Sequence, residues 1–221
     1  MSEQAILDSR MMARALQLAY KGLYTTEPNP RVGCVLVLQG EVVGEGWHVQ
    51  AGEGHAEVNA LAQAGSRARG ATAYVTLEPC SHTGKTPPCA EALIEAGVAR
   101  VVAAMQDPNP LVSGKGLARL QEAGVEVECG LLEVEARALN PGFIKRMQTG
   151  MPFVRIKLAM SLDGRTAMAS GESQWITGPD ARADVQRLRA RSGAVISGAD
   201  AVLQDDSALT VRAAELGLPE A

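Results

Sequence analysis

The chain has 221 residues, of which 46% are hydrophobic, and a formal net charge of -4. This composition can supply a sizeable core, whereas the acidic balance argues against a general nucleic-acid binder, which would usually be basic. The longest apolar runs, residues 34–38 and 98–105, are too short to span a bilayer, so we expect no membrane partner. The N-terminus lacks the basic head and apolar stretch of a secretion signal, and four cysteines do not make a disulfide scaffold. We therefore expect a cytoplasmic protein.

Up to residue 129, hydrophobic periodicity and turn residues predict alternating helices and strands. The predicted elements are, in chain order, a helix over residues 6–20, strands over 34–38 and 41–43, a helix over 56–64, a strand over 71–77, a helix over 90–96, a strand over 98–105, a helix over 117–123 and a strand over 125–129. Gln39-Gly40 separates the first two strands and favours a hairpin. The pattern predicts an α/β sandwich whose sheet begins with this hairpin and continues in parallel strands.

Beyond Asn140-Pro141-Gly142 the pattern changes, and the segment up to Gly150 is interpreted as a link. A strand over 152–160, a helix over 179–191 and a strand over 194–197 predict the opening of a second α/β unit. Two strands are too few to bury both faces of a sheet. We therefore expect an incomplete unit and, because its sheet would be exposed, a homo-oligomer.

One motif carries the chemistry of the chain: His55-Ala56-Glu57, followed by Pro79-Cys80 and then by Cys89. Isolated cysteine and histidine residues are more often packing residues than metal ligands. Here, however, one histidine and two cysteines lie at predicted strand–helix junctions, which favours a catalytic zinc site with three protein ligands and one open position. A purely structural zinc would need a fourth protein ligand. The other cysteines, Cys34 and Cys129, are interpreted as a buried hydrophobic residue and a residue without assigned chemistry.

Glu57 is the predicted proton carrier of this site. It lies two residues after the His55 ligand, close enough to reach a zinc-activated water without binding the metal. Zinc lowers the pKa of such a water to roughly 7. Glu57 would take the proton, pass it to a ring nitrogen and assist the departure of ammonia.

The chain resembles the bacterial bifunctional riboflavin-biosynthesis enzymes, which join a diaminohydroxyphosphoribosylaminopyrimidine deaminase to a 5-amino-6-(5-phosphoribosylamino)uracil reductase. The matching segments are residues 28–33 (PNPRVG), 44–48 (GEGWH), 55–60 (HAEVNA), 76–89 (TLEPCSHTGKTPPC) and 107–110 (DPNP). Eight residues separate Cys80 from Cys89, where nucleic-acid and nucleoside deaminases usually have two, and this interval is typical of the family.

The resemblance implies a cytidine-deaminase-like, three-layer α/β sandwich for residues 1–145. It implies zinc-dependent deamination of 2,5-diamino-6-ribosylamino-4(3H)-pyrimidinone 5′-phosphate, a small phosphoribosylated pyrimidine. His55, Cys80 and Cys89 would bind zinc, and Glu57 would be the proton donor. The residues that fall where the family contacts this substrate are Asn29, His48, His82, Lys85, Asp107 and Asn109.

Residues 146–221 resemble the start of the family's dihydrofolate-reductase-like domain, through KLAMSLDGRTA at 157–167 and GESQWIT at 171–177. The resemblance implies NADPH as a second cofactor, with Ala159, Trp175 and Asp205 beside it. Ser173, Arg189, Leu209 and Arg212 would contact the ribosyl phosphate. The family's later strands and its glycine-rich segment do not appear before Ala221, so we expect a reductase domain that is truncated and deamination as the activity.

Two alternatives to this function remain. The first is deamination of a free nucleobase, a nucleoside or a tRNA adenosine, which a two-residue cysteine interval and a basic face would favour. The second is a non-catalytic assembly subunit, against which the presence of Glu57 argues in the first domain.

Overall fold

The structure, a computed structural model, describes residues 2–81 and 88–216. The chain divides into two compact units, Met1–Phe153 and Val154–Ala221. None of the helices within the described residues combines the length and the apolar character that crossing a membrane requires.

The first unit alternates helices and strands. Its elements are α1 (Glu3–Tyr20), β1 (Gly33–Leu38), β2 (Glu41–Trp47), α2 (Ala56–Ala64), a 3-10 turn (Gly65–Ala68), β3 (Thr72–Val75), α3 (Cys89–Glu95), β4 (Arg100–Ala103), α4 (Lys115–Glu122), β5 (Glu126–Cys129), α5 (Glu133–Leu139) and α6 (Pro141–Thr149). Every element predicted up to residue 129 is confirmed, although several end at different residues. The interpretation of residues 140–150 as a link is wrong, because Pro141 begins a helix there, in the first turn where a proline needs no N–H donor.

The sheet has five strands in the order β2-β1-β3-β4-β5. Strand β1 pairs antiparallel with β2 and β3, whereas β3, β4 and β5 run parallel to one another. The predicted sheet, a hairpin followed by parallel strands, is confirmed. Because parallel strands point the same way, the loops that follow β3 and β4 emerge at one edge of the sheet.

Helices cover both faces of this sheet. Along β1, Cys34 and Leu36 pack with α2, α3 and α4, whereas Val35 and Val37 pack with α1, α5 and α6. All four side chains are buried. A strand that is covered on both faces has an uninterrupted apolar sequence, which explains the run from Cys34 to Leu38. The first unit is therefore a three-layer α/β sandwich, as predicted.

Helix α2 lies close against β2. Three of its four buried residues are alanines, among them Ala56 and Ala60. A Cβ atom at Gly46 would overlap the carbonyl oxygen of Ala56, and one at Gly44 would overlap that of Ala60. A side chain at either strand position would therefore push the helix outwards. These small residues set the depth at which the N-terminus of α2 sits.

The second unit contains α7 (Pro179–Ala190), α8 (Ala199–Asp205) and a 3-10 turn (Ala213–Leu216). The helix predicted over residues 179–191 is confirmed. The strands predicted over 152–160 and 194–197 are wrong, since none of the residues described there is in a strand. The apolar alternation is present, but Ile156 is 81% exposed and no neighbouring strand within residues 154–216 pairs with its segment. A strand requires such a partner, which a local pattern cannot supply.

A buried ion pair joins α1 to the sheet of the first unit. Asp8 is 7% exposed and accepts hydrogen bonds from Arg100 at 3.0 and 2.9 Å and from the Tyr74 hydroxyl at 2.6 Å. Arg100 also contacts Glu128 at 2.6 Å. The hydrogen bonds from Arg100 hold the pKa of Asp8 at about 2, below its ordinary value of 3.8. The pair thus connects the first helix to β3 and β4.

We expect the substitution Asp8→Asn to lower the free energy of unfolding by about 2 kcal/mol, because an amide cannot neutralise the buried Arg100, whose remaining acidic partners, Glu126 and Glu128, are exposed. Urea-induced unfolding followed by circular dichroism measures this loss. Since the pKa of Asp8 is depressed, its stabilisation is complete above the ordinary pKa and is lost as the pH falls towards 2. The difference between wild type and variant should therefore narrow from about pH 5 to about pH 2.

The matched control is Glu91→Gln, which removes a carboxylate from an ion pair with Arg119 whose side chains are 36% and 41% exposed. We expect this variant to change the free energy of unfolding by less than about 0.5 kcal/mol. Equal effects of the two substitutions, or a difference that does not depend on pH, would contradict the role given to Asp8.

Candidate metal centre and cavity

Three separate segments bring His55, Cys80 and Cys89 together. His55 is the residue immediately before α2, Cys89 is the first residue of α3, and Cys80 lies in the loop that follows β3. The N-termini of both helices therefore point at the loop that carries Cys80. Helix N-termini favour negative charge, so this is a favourable place for thiolates.

The spacing of the three side chains matches that of a zinc site. The Nδ1 atom of His55 lies 3.2 Å from the Cys89 sulfur and 3.7 Å from the Cys80 sulfur, and all three ligand atoms lie within 4.8 Å of one another. Around a tetrahedral zinc with ordinary bond lengths, neighbouring nitrogen and sulfur ligands are about 3.5 Å apart. One imidazole and two thiolates are also a usual zinc ligand set. The residues present thus fit the metal without a fourth protein ligand.

The electrostatics favour a thiolate at Cys80. Its pKa is lowered to about 4, mainly because the Cys89 thiol donates a hydrogen bond to it, and the His55 ring adds to the effect. The backbone N–H of Cys89 donates to the same sulfur at 3.3 Å. The pKa of Cys89 is raised, because its thiol serves as that donor and is buried. A dication placed among these atoms would replace the shared proton.

Glu57 is a buried carboxylic acid beside the cluster. It belongs to the first turn of α2 and is 3% exposed. Burial raises its pKa to about 7, and the negative charge of Cys80 contributes to this rise. A carboxyl group with a pKa near neutrality can both accept and release a proton, as a general acid–base catalyst must.

Two predicted metal ligands, the predicted proton carrier and several predicted substrate contacts line one cavity of about 200 Å³. The described residues that line it include the predicted site residues Asn29, His48, His55, Glu57, Cys80, Asp107 and Asn109. His82 and Lys85 lie outside the described residues. The cavity therefore brings His55, Cys80 and four predicted substrate contacts around one space.

His48 is held as a neutral ring by its neighbours. Its Nδ1 atom lies 3.1 Å from the carbonyl oxygen of Gly54, which can only accept, so Nδ1 carries the proton. The Nε2 atom then accepts a hydrogen bond from the side-chain amide of Asn29 at 3.1 Å. Burial lowers the pKa of His48, in agreement with this assignment. The ring thereby orients the Asn29 amide at the cavity wall.

The loop that carries Asn29 is anchored by a residue far away in the sequence. The backbone N–H of Arg31 donates to the side-chain oxygen of Asn140 at 2.8 Å, and the Asn140 amide donates to the Arg31 carbonyl at 2.9 Å. Asn140 is buried and immediately precedes α6, whose Phe143 also lines the cavity. The segment interpreted as a link thus contributes to the wall of the site.

Sequence reasoning missed part of the lining. Unassigned lining residues include Pro30, Val32, Leu77, Glu78, Val112 and Phe143. The apolar members resemble ordinary core residues in the sequence, so no signal separates them from the core. Glu78 lies within the matched segment 76–89, and its position two residues before Cys80 was the available signal.

In the second unit, three of the predicted phosphate contacts lie near one another. The Arg189 side chain donates to the carbonyl oxygens of Ala208 and Thr210, on either side of Leu209, at 2.9 and 3.1 Å. The backbone N–H of Arg212 donates to Gln186 on the same helix. Ser173 is exposed.

The predicted NADPH contacts are not brought together in the same way. Trp175 is 69% exposed and lies under the guanidinium of Arg182, whose Cζ atom is 4.4 Å from the ring centroid. Asp205 ends α8, and Ala159 lies in an irregular segment. Within residues 154–216, no hydrogen bond or ring contact joins Ala159, Trp175 and Asp205 to one another.

Comparison with known proteins finds two family models along the chain. Residues 6–105 match the cytidine and deoxycytidylate deaminase zinc-binding region, and residues 152–220 match the RibD C-terminal domain. The first match includes the His55, Cys80 and Cys89 cluster. The first unit accordingly has a cytidine-deaminase-like fold.

Similar proteins include bacterial riboflavin-biosynthesis proteins. The chain is 66% identical to riboflavin biosynthesis protein RibD of Escherichia coli (strain K12) over 209 residues, covering 95% of this chain and 57% of that protein. A solved structure of Acinetobacter baumannii RibD superposes with a TM-score of 0.90 at 62% identity, covering 93% of this chain and 58% of the other. A diaminohydroxyphosphoribosylaminopyrimidine deaminase/5-amino-6-(5-phosphoribosylamino)uracil reductase from Thermotoga maritima gives 0.90 at 43% identity, covering 95% and 60%.

The chain thus spans 57% of the length of the E. coli relative. Its similarity extends through both units, with the zinc-binding region in the first and the RibD C-terminal domain in the second. The chain belongs to the RibD family of riboflavin-biosynthesis proteins.

Proposed function

We propose that the first unit is a zinc-dependent deaminase that hydrolyses the 2-amino group of 2,5-diamino-6-ribosylamino-4(3H)-pyrimidinone 5′-phosphate. The observation that carries this proposal is the position of Glu57, a buried acid whose pKa is about 7, in the wall of the cavity that also contains His55 and Cys80. A structural zinc site needs no such group. A hydrolytic site does, because protons must move from water to the substrate during the reaction.

His55, Cys80 and Cys89 would hold the metal. When bound, zinc supplies a Lewis acid that makes water nucleophilic at neutral pH. Glu57 accepts the proton of the attacking water and delivers it to the ring nitrogen next to the amino-bearing carbon. It then takes the remaining proton from the hydroxyl group added to that carbon and transfers it to the amino group, so that the carbon–oxygen bond becomes a carbonyl as ammonia leaves. The burial of Glu57 keeps bulk water away from the carboxyl group and so maintains the pKa that both transfers need.

The polar groups that line the cavity together with Glu57 suit a pyrimidine edge. The Asn29 amide donates one hydrogen to His48 and keeps its carbonyl oxygen and second hydrogen for a ligand. Asp107 and Asn109 lie in the loop that follows β4, on the cavity wall. We infer that these three side chains read the donor and acceptor pattern of the ring.

The interval between the two cysteines supports a phosphorylated substrate. It contains His82 and Lys85, both of which can bind phosphate, and it directly joins two of the proposed zinc ligands. This loop would therefore place a positive charge within reach of the ribosyl phosphate while the ring occupies the cavity. For the second unit, NADPH binding at Ala159, Trp175 and Asp205 stays a prediction.

We expect Glu57→Gln to lower kcat for ammonia release from this pyrimidine by about 10²- to 10⁴-fold, the usual contribution of a general acid–base group. The amide keeps the size of the side chain but carries no proton that can be transferred. Coupled detection of ammonia measures the rate, and metal analysis establishes that the variant still contains one zinc per chain.

The matched control for Glu57→Gln is Glu41→Gln, an exposed position at the start of β2. Its rate should equal that of the wild type. A Glu57→Gln protein with full zinc content and undiminished ammonia release would contradict the proposed mechanism.

We expect Lys85→Ala to raise the KM for the phosphorylated substrate by about tenfold or more, since one charge-assisted hydrogen bond is lost. The KM for the same compound without its phosphate should hardly change. Steady-state kinetics with both compounds measures the difference.

Lys145→Ala, an exposed position on α6, serves as the control for Lys85 and should change neither constant. An equal rise in KM for both compounds in Lys85→Ala would show that Lys85 does not recognise the phosphate.

A further inference from the structure

We propose that Glu78 is a positioning residue that fixes the loop carrying Asp107 and Asn109 relative to Cys80. The inference rests on the proposed function, because it takes Asp107 and Asn109 as substrate contacts. Glu78 is 3% exposed and lies two residues before Cys80. Nothing in the chemistry of deamination requires a second carboxylate at this point.

The Glu78 carboxylate accepts four hydrogen bonds from backbone amides. One oxygen accepts from Asp107 at 3.1 Å and from Gly114 at 2.9 Å. The other oxygen accepts from Gly116 at 2.8 Å and from Leu117 at 3.3 Å. A carboxylate provides about four acceptor sites, so these amides occupy the whole group. Glu78 therefore acts through the loop and not by direct contact with a substrate.

These bonds join two ends of one loop. Asp107 follows β4, whereas Gly116 and Leu117 belong to the first turn of α4, whose unpaired N–H groups need an acceptor. A carboxylate at a helix N-terminus is further stabilised by the helix dipole. The two ends of the loop formed by residues 107–117 are therefore both hydrogen-bonded to the Glu78 side chain.

The loop also packs tightly against the chain on the Cys80 side. A Cβ atom added at Gly116 would overlap the carbonyl oxygen of Pro79, the residue immediately before Cys80. The start of α4 and the metal-ligand segment are therefore in backbone contact. A shift of either one displaces the other.

Further hydrogen bonds within the loop connect Glu78 to the residues that line the cavity. Asp107 accepts a hydrogen bond from the N–H of Asn109 at 2.8 Å, and the Asn109 side chain accepts one from Leu111 at 3.1 Å. A chain of hydrogen bonds therefore runs from Glu78 through Asp107 and Asn109 to Leu111. One buried carboxylate therefore connects the zinc ligand Cys80 with the two side chains that would read the pyrimidine.

The test compares Glu78→Gln with Asp8→Asn. Both substitutions replace a buried carboxylate by an amide, but Asp8 contacts the beginning of β4 and lies outside the cavity lining. In Glu78→Gln the amide nitrogen faces backbone donors, so at least two hydrogen bonds are lost. Hydrogen–deuterium exchange of residues 107–117 should become about tenfold faster or more in Glu78→Gln, and should stay at the wild-type rate in Asp8→Asn.

Kinetics supplies the second measurement. Glu78→Gln should raise the KM for the pyrimidine substrate by about tenfold or more, with a smaller change in kcat and one zinc per chain. Asp8→Asn should keep the wild-type KM. If Glu78→Gln does not fold, Gly116→Ala replaces it, since the added methyl group pushes the same loop away from Pro79 while Glu78 is unchanged.

Unchanged exchange over residues 107–117, or a KM within twofold of wild type in a zinc-loaded variant, would overturn the inference. A wild-type chain that contains zinc but releases no ammonia would instead refute the proposed function. The exchange measurement would still decide the role of Glu78, because it needs no substrate.

Discussion

The convergence of three chain segments at the end of β3 is the constraint on which the rest of the first unit depends. Cys80 follows this strand, and the N-termini of α2 and α3 bring His55 and Cys89 to within 4.8 Å of one another and of Cys80. This is achieved only if the helices lie close to the sheet. The overlap that any Cβ atom at Gly46 would make with α2 shows how little space remains between them. Packing of small residues is thus what gives the metal centre its geometry.

Two buried glutamates show that the groups around a carboxyl side chain, and not the residue type, determine what the side chain does in the protein. Glu57 lies among apolar residues and a thiolate, so burial raises its pKa to about 7 and prepares it for proton transfer. Glu78 is buried to the same extent, but four backbone amides surround its carboxylate. Both of its carboxylate oxygens accept hydrogen bonds that hold the loop containing Asp107. The same side chain therefore serves as a proton carrier in one place and as a structural anchor in the other.

The sequence predicts what depends on local signals. The Gln39-Gly40 turn, the end of α2 at Gly65 and the cysteine and histidine spacing are all of this kind, and each has its counterpart in the structure. The strands expected over residues 152–160 and 194–197 depend on a neighbouring strand, which no local pattern contains. The bonds between Asn140 and Arg31 join residues far apart in the chain, so the part of α6 in the cavity wall could not be foreseen. Glu78 was visible as a residue of the motif, but its four partners are backbone amides, which have no sequence signature.

The measurement that tests the central claim most directly is X-ray absorption spectroscopy at the zinc edge of the purified chain. The account predicts a zinc coordinated by two sulfur atoms at about 2.3 Å, one imidazole nitrogen at about 2.0 Å and one further light atom that does not come from the protein. Replacing Cys89 by serine should remove one sulfur from this shell or abolish metal binding. A zinc without sulfur ligands, or one closed by four protein ligands, would contradict the claim that His55, Cys80 and Cys89 form an open catalytic site.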